Sequence, residues 1–285
     1  MTDSAGRAVL ITGCSSGIGL CVAEGLRSRG YRVFATARKQ ADVQRLIGDG
    51  FEALELDLSD SESIAAALEE ILERTGHRLY ALFNNGGYGQ PGAVEDLTTD
   101  VLRAQFETNF FGWHELTRRV LPVMRAQGEG RIIQNSSVLG FITLKFRGAY
   151  NASKFAVEGL SDTLRIELKG TNIHVSLIEP GPIISRFREN AYRAFKANID
   201  IERSPHRKAY VYLERRLANN EDEPPFTLPA SAVLKKVVHA LESDRPKPRY
   251  YVTVPTYGFG VLKRLLSTRL LDRLLIAASG AEVRH

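Results

Sequence analysis

The chain has 285 residues, 44% of them hydrophobic and 25% charged, with a formal net charge of +5. This composition predicts a soluble globular protein, short for two substantial domains and long enough for one α/β sheet. The basic excess lies late, in "RFRENAYRAFK", "ERSPHRKAY" and "LKRLLSTRLLDRLL"; without finger spacing or a Lys/Arg-rich run it reads as solvated periphery, and no nucleic-acid partner is expected. Cys14 and Cys21 form neither a disulfide framework nor a metal spacing, so no metal is expected. No apolar run is long enough to span a bilayer, and "MTDSAGRAVLITG" lacks a signal pattern. A reducing, cytoplasmic location is the expectation.

In chain order, "AVLITG" is strand-like, and Ile18 to Arg29 follows with apolar residues at helical spacing until Gly30. "YRVFATA" and "FEALELD" are the second and third strands. "SDSESIAAALEEILERTG" opens on a capping pattern, Ser59 then Glu62, and closes on Gly76. "LYALFNN" is the fourth strand, followed by a helical stretch from about Thr99 to Arg125. "RIIQNSS" is the fifth strand, the helix carrying "AYNASKFAVEGL" comes next, and "IHVSLIEPG" is the sixth. Residues 183–228 break this rhythm with aromatic, basic and Pro-rich sequence, which predicts a substrate lid. "SAVLKKVVHALES" and "RYYVTVP" add a last helix and strand. Strand–helix alternation of this kind predicts one domain over 1–285, a doubly wound parallel sheet of about seven strands with helices on both faces. Ligands of such sheets bind beyond the carboxyl ends of the strands.

Gly13, Gly17 and Gly19 lie between the first strand and first helix. Glycines there permit a tight turn and close approach of a pyrophosphate to the helix N-terminus. The spacing G-x-x-x-G-x-G, preceded by Thr12, resembles the glycine turn of the short-chain dehydrogenase/reductase family. That resemblance implies a Rossmann-type fold and a nicotinamide cofactor. It places Ser15, Ser16 and Ile18 with the glycines in the cofactor turn. Asp57 and Leu58 fall beside the adenine, and Asn84, Asn85 and Gly86 beside its ribose. The family writes Asn-Asn-Ala-Gly where this chain has "NNGG"; Gly86 removes a methyl group and a slightly looser turn is expected, with Gly87 retained.

In dinucleotide folds an acidic residue after the second strand holds the free ribose hydroxyls of NAD. This chain has "ATARKQ", with Ala37 at that position and Arg38 and Lys39 after it. Two cations and no carboxylate predict NADP(H) over NAD(H).

Tyr150 and Lys154 stand four apart on one helix face. A free phenol titrates near 10. A cation about 4 Å away contributes roughly 4 kcal/mol at an effective dielectric near 20, enough to lower it before desolvation offsets part of the effect. Ser137 ends the fifth strand, thirteen residues before Tyr150, which is the family's spacing for the serine that holds the substrate oxygen; Ser136 is expected to be structural. Asn109 in "FETNFFG" matches the family's N-x-x-G asparagine, which implies support for a proton relay near Lys154. In "EPGPI", Pro180, Gly181 and Ile183 are expected at the nicotinamide, with Ser185 standing where the family often has Thr.

The motifs look most like the branch with 17β-hydroxysteroid and retinol dehydrogenases and bacterial NADP-dependent aldehyde reductases. An apolar aldehyde, ketone or alcohol is therefore the expected substrate. Phe187, Tyr192, Phe195, Tyr210, Tyr212 and Phe226 are expected to wall its pocket, with the "YGQPGAVEDL" loop and Leu139 to Phe146. The amphipathic stretch 258–280 carries Lys263, Arg264, Arg269 and Arg273 between leucines. It packs on the body or a neighbouring subunit, or lies on a membrane. A homodimer or homotetramer is the family-level expectation. The alternative function is a non-catalytic NADP(H)-binding redox sensor acting through a protein partner; the intact Ser, Tyr and Lys weigh against it.

Overall fold

Short runs of β-branched, aliphatic and aromatic residues, nearly all buried, make the seven strands of a fully parallel sheet in the order β3-β2-β1-β4-β5-β6-β7. The strands are β1 (Ala8–Ile11), β2 (Arg32–Ala37), β3 (Glu52–Glu55), β4 (Ala81–Asn84), β5 (Gly130–Asn135), β6 (Ile173–Glu179) and β7 (Arg249–Tyr251). The computed structural model describes residues 6–219 and 225–280; residues 220–224, part of the expected lid, lie outside the described residues.

Side chains alternate across the pleat, so each strand feeds two cores. Val9 and Ile11 join the face covered by α1 (Gly17–Arg27), α2 (Gln40–Gly48) and α9 (Ser231–Glu242). Ala8 and Leu10 join the other, under α3 (Ser61–Arg74), α5 (Gly112–Gln127) and α6 (Gly148–Glu167). The strand order reverses between β1 and β4, and both strands end in the residues singled out for the cofactor.

Four local readings change. The cap of α3 is Asp60, whose carboxylate accepts from the N–H groups of Glu62 and Ser63; Ser59 is spent on Asp57, to which its N–H and hydroxyl both donate. The stretch 99–125 is not one regular helix. It runs as α4 (Thr99–Phe106), a π-helical turn over Glu107–Phe111, then α5, and the turn carries Asn109. "RYYVTVP" is strand only to Tyr251, because Val254 and Pro255 open helix α10 (Val254–Leu265), where a missing N–H costs nothing. The segment after β6 holds two helices, α7 (Phe187–Asn198) and α8 (Arg207–Ala218), with their own small core of Ala191, Phe195, Tyr210, Leu213 and Leu217. Its ends are stitched together: Leu228 N–H donates to Pro182, and Ile184 N–H to Leu228. A final helix, α11 (Thr268–Gly280), follows α10.

Candidate active site

Every residue singled out for chemistry falls at or beyond a strand's carboxyl end. At β1 the chain turns through Gly13, whose φ of +72° suits glycine and whose missing Cβ would lie 2.6 Å from Gly86 Cα. Gly19 is as tightly placed, with a Cβ there 2.3 Å from the Gly13 carbonyl oxygen. The first turn of α1 has no side-chain cap from Ser16, so its N–H groups are left for an anion. Thr12 fixes the facing loop: its buried hydroxyl accepts from the N–H groups of Asn85 and Gly86, at 2.9 Å each. Asn85 donates back to the Thr12 carbonyl and receives Asn135. The turn at Gly86 is not loose, because Leu58 Cδ1 would lie only 2.9 Å from an added methyl.

Asn84 does not face this cleft with its side chain, which is buried and donates to the Trp113 carbonyl and Thr117. Only its backbone could meet a cofactor. Asp57 retains a carboxylate at the end of β3, braced by Ser59. Arg38 and Lys39 follow β2 exposed, with no ion pair among the described residues; burial pushes the Tyr88 phenol up and the Arg38 charge pulls it down. Arg45, which the sequence reading passed over, reaches from α2 to the Ser15 carbonyl at 2.6 Å while paired with Asp42. These groups fit a dinucleotide, with backbone N–H groups for the diphosphate and exposed cations beyond β2.

Around Tyr150 the chain is denser. Ser137 caps a short 3₁₀ turn, accepting from Leu139 N–H, and its hydroxyl pulls the Tyr150 phenol down. Val138 N–H donates to the Pro180 carbonyl, tying the serine loop to the Pro-Gly-Pro turn. Lys154 is buried; its ammonium donates to the Asn135 carbonyl at 2.8 Å and lies 4.0 Å from the Trp113 ring centroid. Asn109 clamps the backbone of Tyr88, accepting its N–H and donating to its carbonyl, and does not bond Lys154 through its side chain.

The electrostatics differ from the simple pair. Burial pushes the Tyr150 phenol up to about 12, with Ser137 and Arg147 pulling it down. Burial brings Lys154 down to about 7, and Glu158 pulls it back up. The expected lowering of Tyr150 by Lys154 is therefore not a property of the protein alone: the ammonium points at Asn135 and Trp113, and desolvation outweighs it.

Of the six aromatics expected in the pocket, Phe187 meets Tyr150, its ring 5.2 Å away edge-on. Phe195 and Tyr210 are fully buried in the core between α7 and α8, where Tyr210 donates to Asp96. Phe226 is exposed. Tyr150 packs against Leu139 and Ile142, from the stretch expected at the pocket, and against Leu275; Phe259 and Leu271 join the same cluster, so the 258–280 stretch packs on the body, the first of its three expected placements. Ser185 abuts Gly17, its Cβ 3.0 Å from where a side chain there would begin. Asn135 and Trp113 were also missed; the only sequence signal for Asn135 is its place two residues before Ser137.

The family description "short chain dehydrogenase" matches residues 7–195. The chain belongs to that family. It is 44% identical over 269 residues to "Uncharacterized oxidoreductase YbbO" of Escherichia coli K12, covering 94% of each chain. It is 32% identical over 276 residues to the "NADPH-dependent 3-dehydrocapnine reductase" of Ornithobacterium rhinotracheale, covering 94% of this chain and 95% of that one. A solved short-chain dehydrogenase/reductase from Burkholderia phymatum in complex with NAD superposes with a TM-score of 0.76 at 26% identity, over 93% of this chain and 94% of that one. This family's members are oxidoreductases with a nicotinamide cofactor, and the glycine turn described above is where this chain would hold it.

Proposed function

We propose that the chain is an NADP(H)-dependent carbonyl reductase or alcohol dehydrogenase for apolar aldehydes, ketones or the matching alcohols. The observation that carries this reading is Tyr150: under the influence of Ser137, its ring centroid 5.6 Å from the buried Lys154 ammonium, against Phe187 and the apolar cluster of Leu139, Ile142 and Leu275. When bound, the cofactor supplies or accepts the hydride. The chain's own part is the oxygen. Ser137 holds it, and Tyr150 gives it a proton in reduction and takes one in oxidation. Lys154 holds the cofactor ribose and supplies positive charge beside the phenol, while the π turn at Asn109 supports proton return.

Arg38 and Lys39, with Arg45 behind them, favour NADP(H): a 2′-phosphate meets free cations where an NAD-specific site would offer a carboxylate. An enzyme of the 32%-identical kind, named for NADPH, points the same way, and the NAD-bound solved relative the other. A panel of apolar aldehydes and ketones, run with NADPH and NADH in parallel, tests both points. Turnover with NADPH at least tenfold above NADH is expected; tight NADPH binding without turnover of any carbonyl would replace the enzyme with the redox sensor.

Two surfaces extend the reading. Exposed Phe155, Leu160 and Ile166 on the outer side of α6 suit a homodimer or homotetramer, checked by light scattering on the eluting protein. Exposed Val261, Leu265, Leu270 and Leu274 alternate with Lys263, Arg264, Arg269 and Arg273 on α10 and α11, which suits an anionic lipid surface just outside the Tyr150 wall. Sedimentation with phosphatidylglycerol vesicles, and none with phosphatidylcholine, is the expected result. Two free cysteines are in keeping with a reducing, cytoplasmic setting.

A further inference from the structure

Below the catalytic pair lies a second charged cluster that the mechanism above does not use. Lys154, Glu158 and Asp162 repeat at four-residue spacing along one face of α6. Glu179 ends β6, immediately before the Pro-Gly-Pro turn, and is 1% exposed. Arg249 of β7 reaches all three acids. Its Nε donates to Glu158 Oε2 and Glu179 Oε1, both at 3.2 Å, and its Nη2 to Glu158 Oε2 at 3.0 Å and Asp162 Oδ2 at 2.7 Å. Asp162 is shared with Arg165.

Each buried glutamate leaves one oxygen without a partner, Glu158 Oε1 and Glu179 Oε2, and so does the hydroxyl of Ser136, next to Ser137. Gly140 makes room for two of them: a Cβ there would lie 2.6 Å from Ser136 Oγ and 3.1 Å from Glu158 Oε1. The cluster thus joins the serine loop, the Lys154 helix and the nicotinamide turn at one buried point. Two glutamates against one edge of one guanidinium cannot both stay ionised at low cost, so one proton is shared between them.

We propose that Glu158, one turn from Lys154 on α6 and clamped by Arg249 beside Glu179, is a positioning residue that keeps Lys154 cationic in the catalytic site. This rests on the reading of Lys154 as the catalytic ammonium. The groups facing Glu158 are Lys154 and Asp162 on its own helix, Glu179 from β6, and Arg249 and Tyr251 from β7, with Arg264 of α10 beyond Tyr251. Glu158, one turn along the same helix, opposes the effect of burial on Lys154. Burial raises both carboxyls, Glu179 further because the Glu158 charge adds to it; Glu158 accepts two hydrogen bonds from Arg249 against one for Glu179, so it is the better placed to stay ionised.

The test is the titration of the Lys154 ε-methylene carbon, followed by NMR in the cofactor-free full chain labelled with [¹³Cε]lysine and assigned with Lys154→Arg. Glu158→Gln is expected to lower the Lys154 midpoint by about one pH unit or more, and Glu179→Gln, which imitates the protonated acid, to leave it within about 0.3 of wild type. If Glu158→Gln does not fold, Glu158→Asp draws the charge back by one methylene and is expected to lower the midpoint by a smaller amount. An unchanged midpoint in the Glu158 variant, or an equal shift in Glu179→Gln, overturns the proposal. With NADPH and decanal, the alkaline limb of kcat/KM is expected to move with the NMR midpoint. A shifted midpoint with no turnover in any variant would leave this assignment standing and remove the reductase reading instead.

Discussion

The cofactor half and the substrate half of this molecule are built on different rules. At the ends of β1 and β4, backbone and small side chains do the work: Gly13 against Gly86, Thr12 gripping two N–H groups, Asn85 braced by Asn135. From Ile183 onward, bulky side chains decide, and similar residues take opposite parts. Phe187 lies on Tyr150, whereas Phe195, eight residues later, is sealed in the core between α7 and α8. Backbone geometry demands particular residues at particular spacings, so it can be read from a chain. An aromatic side chain satisfies a core and a pocket equally well, and only the fold tells them apart.

Several substitutions sharpen that contrast. Lys154→Met should cost the most, a loss of about 10²–10³ in kcat/KM with NADPH, read from initial rates on an apolar aldehyde. Arg38→Asp should come next, lowering the preference for NADPH over NADH by about tenfold to a hundredfold; an unaltered ratio would move the 2′-phosphate away from β2. In the substrate half, Phe195→Ala should destabilise the fold by about 3–5 kcal/mol in urea titration while leaving KM nearly unchanged in the folded fraction. Phe187→Ala should do the reverse, raising KM for apolar substrates with a stability loss under about 1.5 kcal/mol.

Stability should also depend on pH. The folded state holds Lys154 near 7 against 10.5 for the free group. Between those values the unfolded chain binds the extra proton, so this group's contribution to stability rises with pH, by about 1.4 kcal/mol per unit. Below pH 7 both states are protonated and the penalty is constant. The stability difference between wild type and Lys154→Met, measured on the cofactor-free protein from pH 7 to 9, should carry that slope, because the opposing contribution of Glu179 cancels in the difference. A flat difference would place the Lys154 ammonium in water.

Legibility followed the same division. The parallel sheet and its strands were readable because buried β-branched runs end in glycine turns; Tyr150 and Lys154 were readable because a helix puts residues four apart on one face, and Ser137 because its place thirteen residues before Tyr150 matches the family pattern. The structure brings these three together. Asn84 looked like a site residue beside Asn85, but consecutive residues of a strand point to opposite faces, and its side chain is spent on Trp113 and Thr117. Arg45 and Trp113 had no signal, since each reaches the site from a helix whose docking angle is a tertiary property. Asp60 displaced Ser59 as the cap because either residue type can do that work, and Asp57 claimed the serine. The pull of Lys154 on Tyr150 was overestimated because spacing gives proximity but not burial.

The central claim is that Tyr150 moves the proton while the rest of the site holds the cofactor. Single-turnover oxidation of NADPH by decanal, compared in wild type and Tyr150→Phe with NADPH affinity measured by fluorescence on the same samples, tests it most directly. The account predicts affinities within about twofold and a rate at least about 10²-fold lower in the variant; equal rates at equal affinity would contradict it.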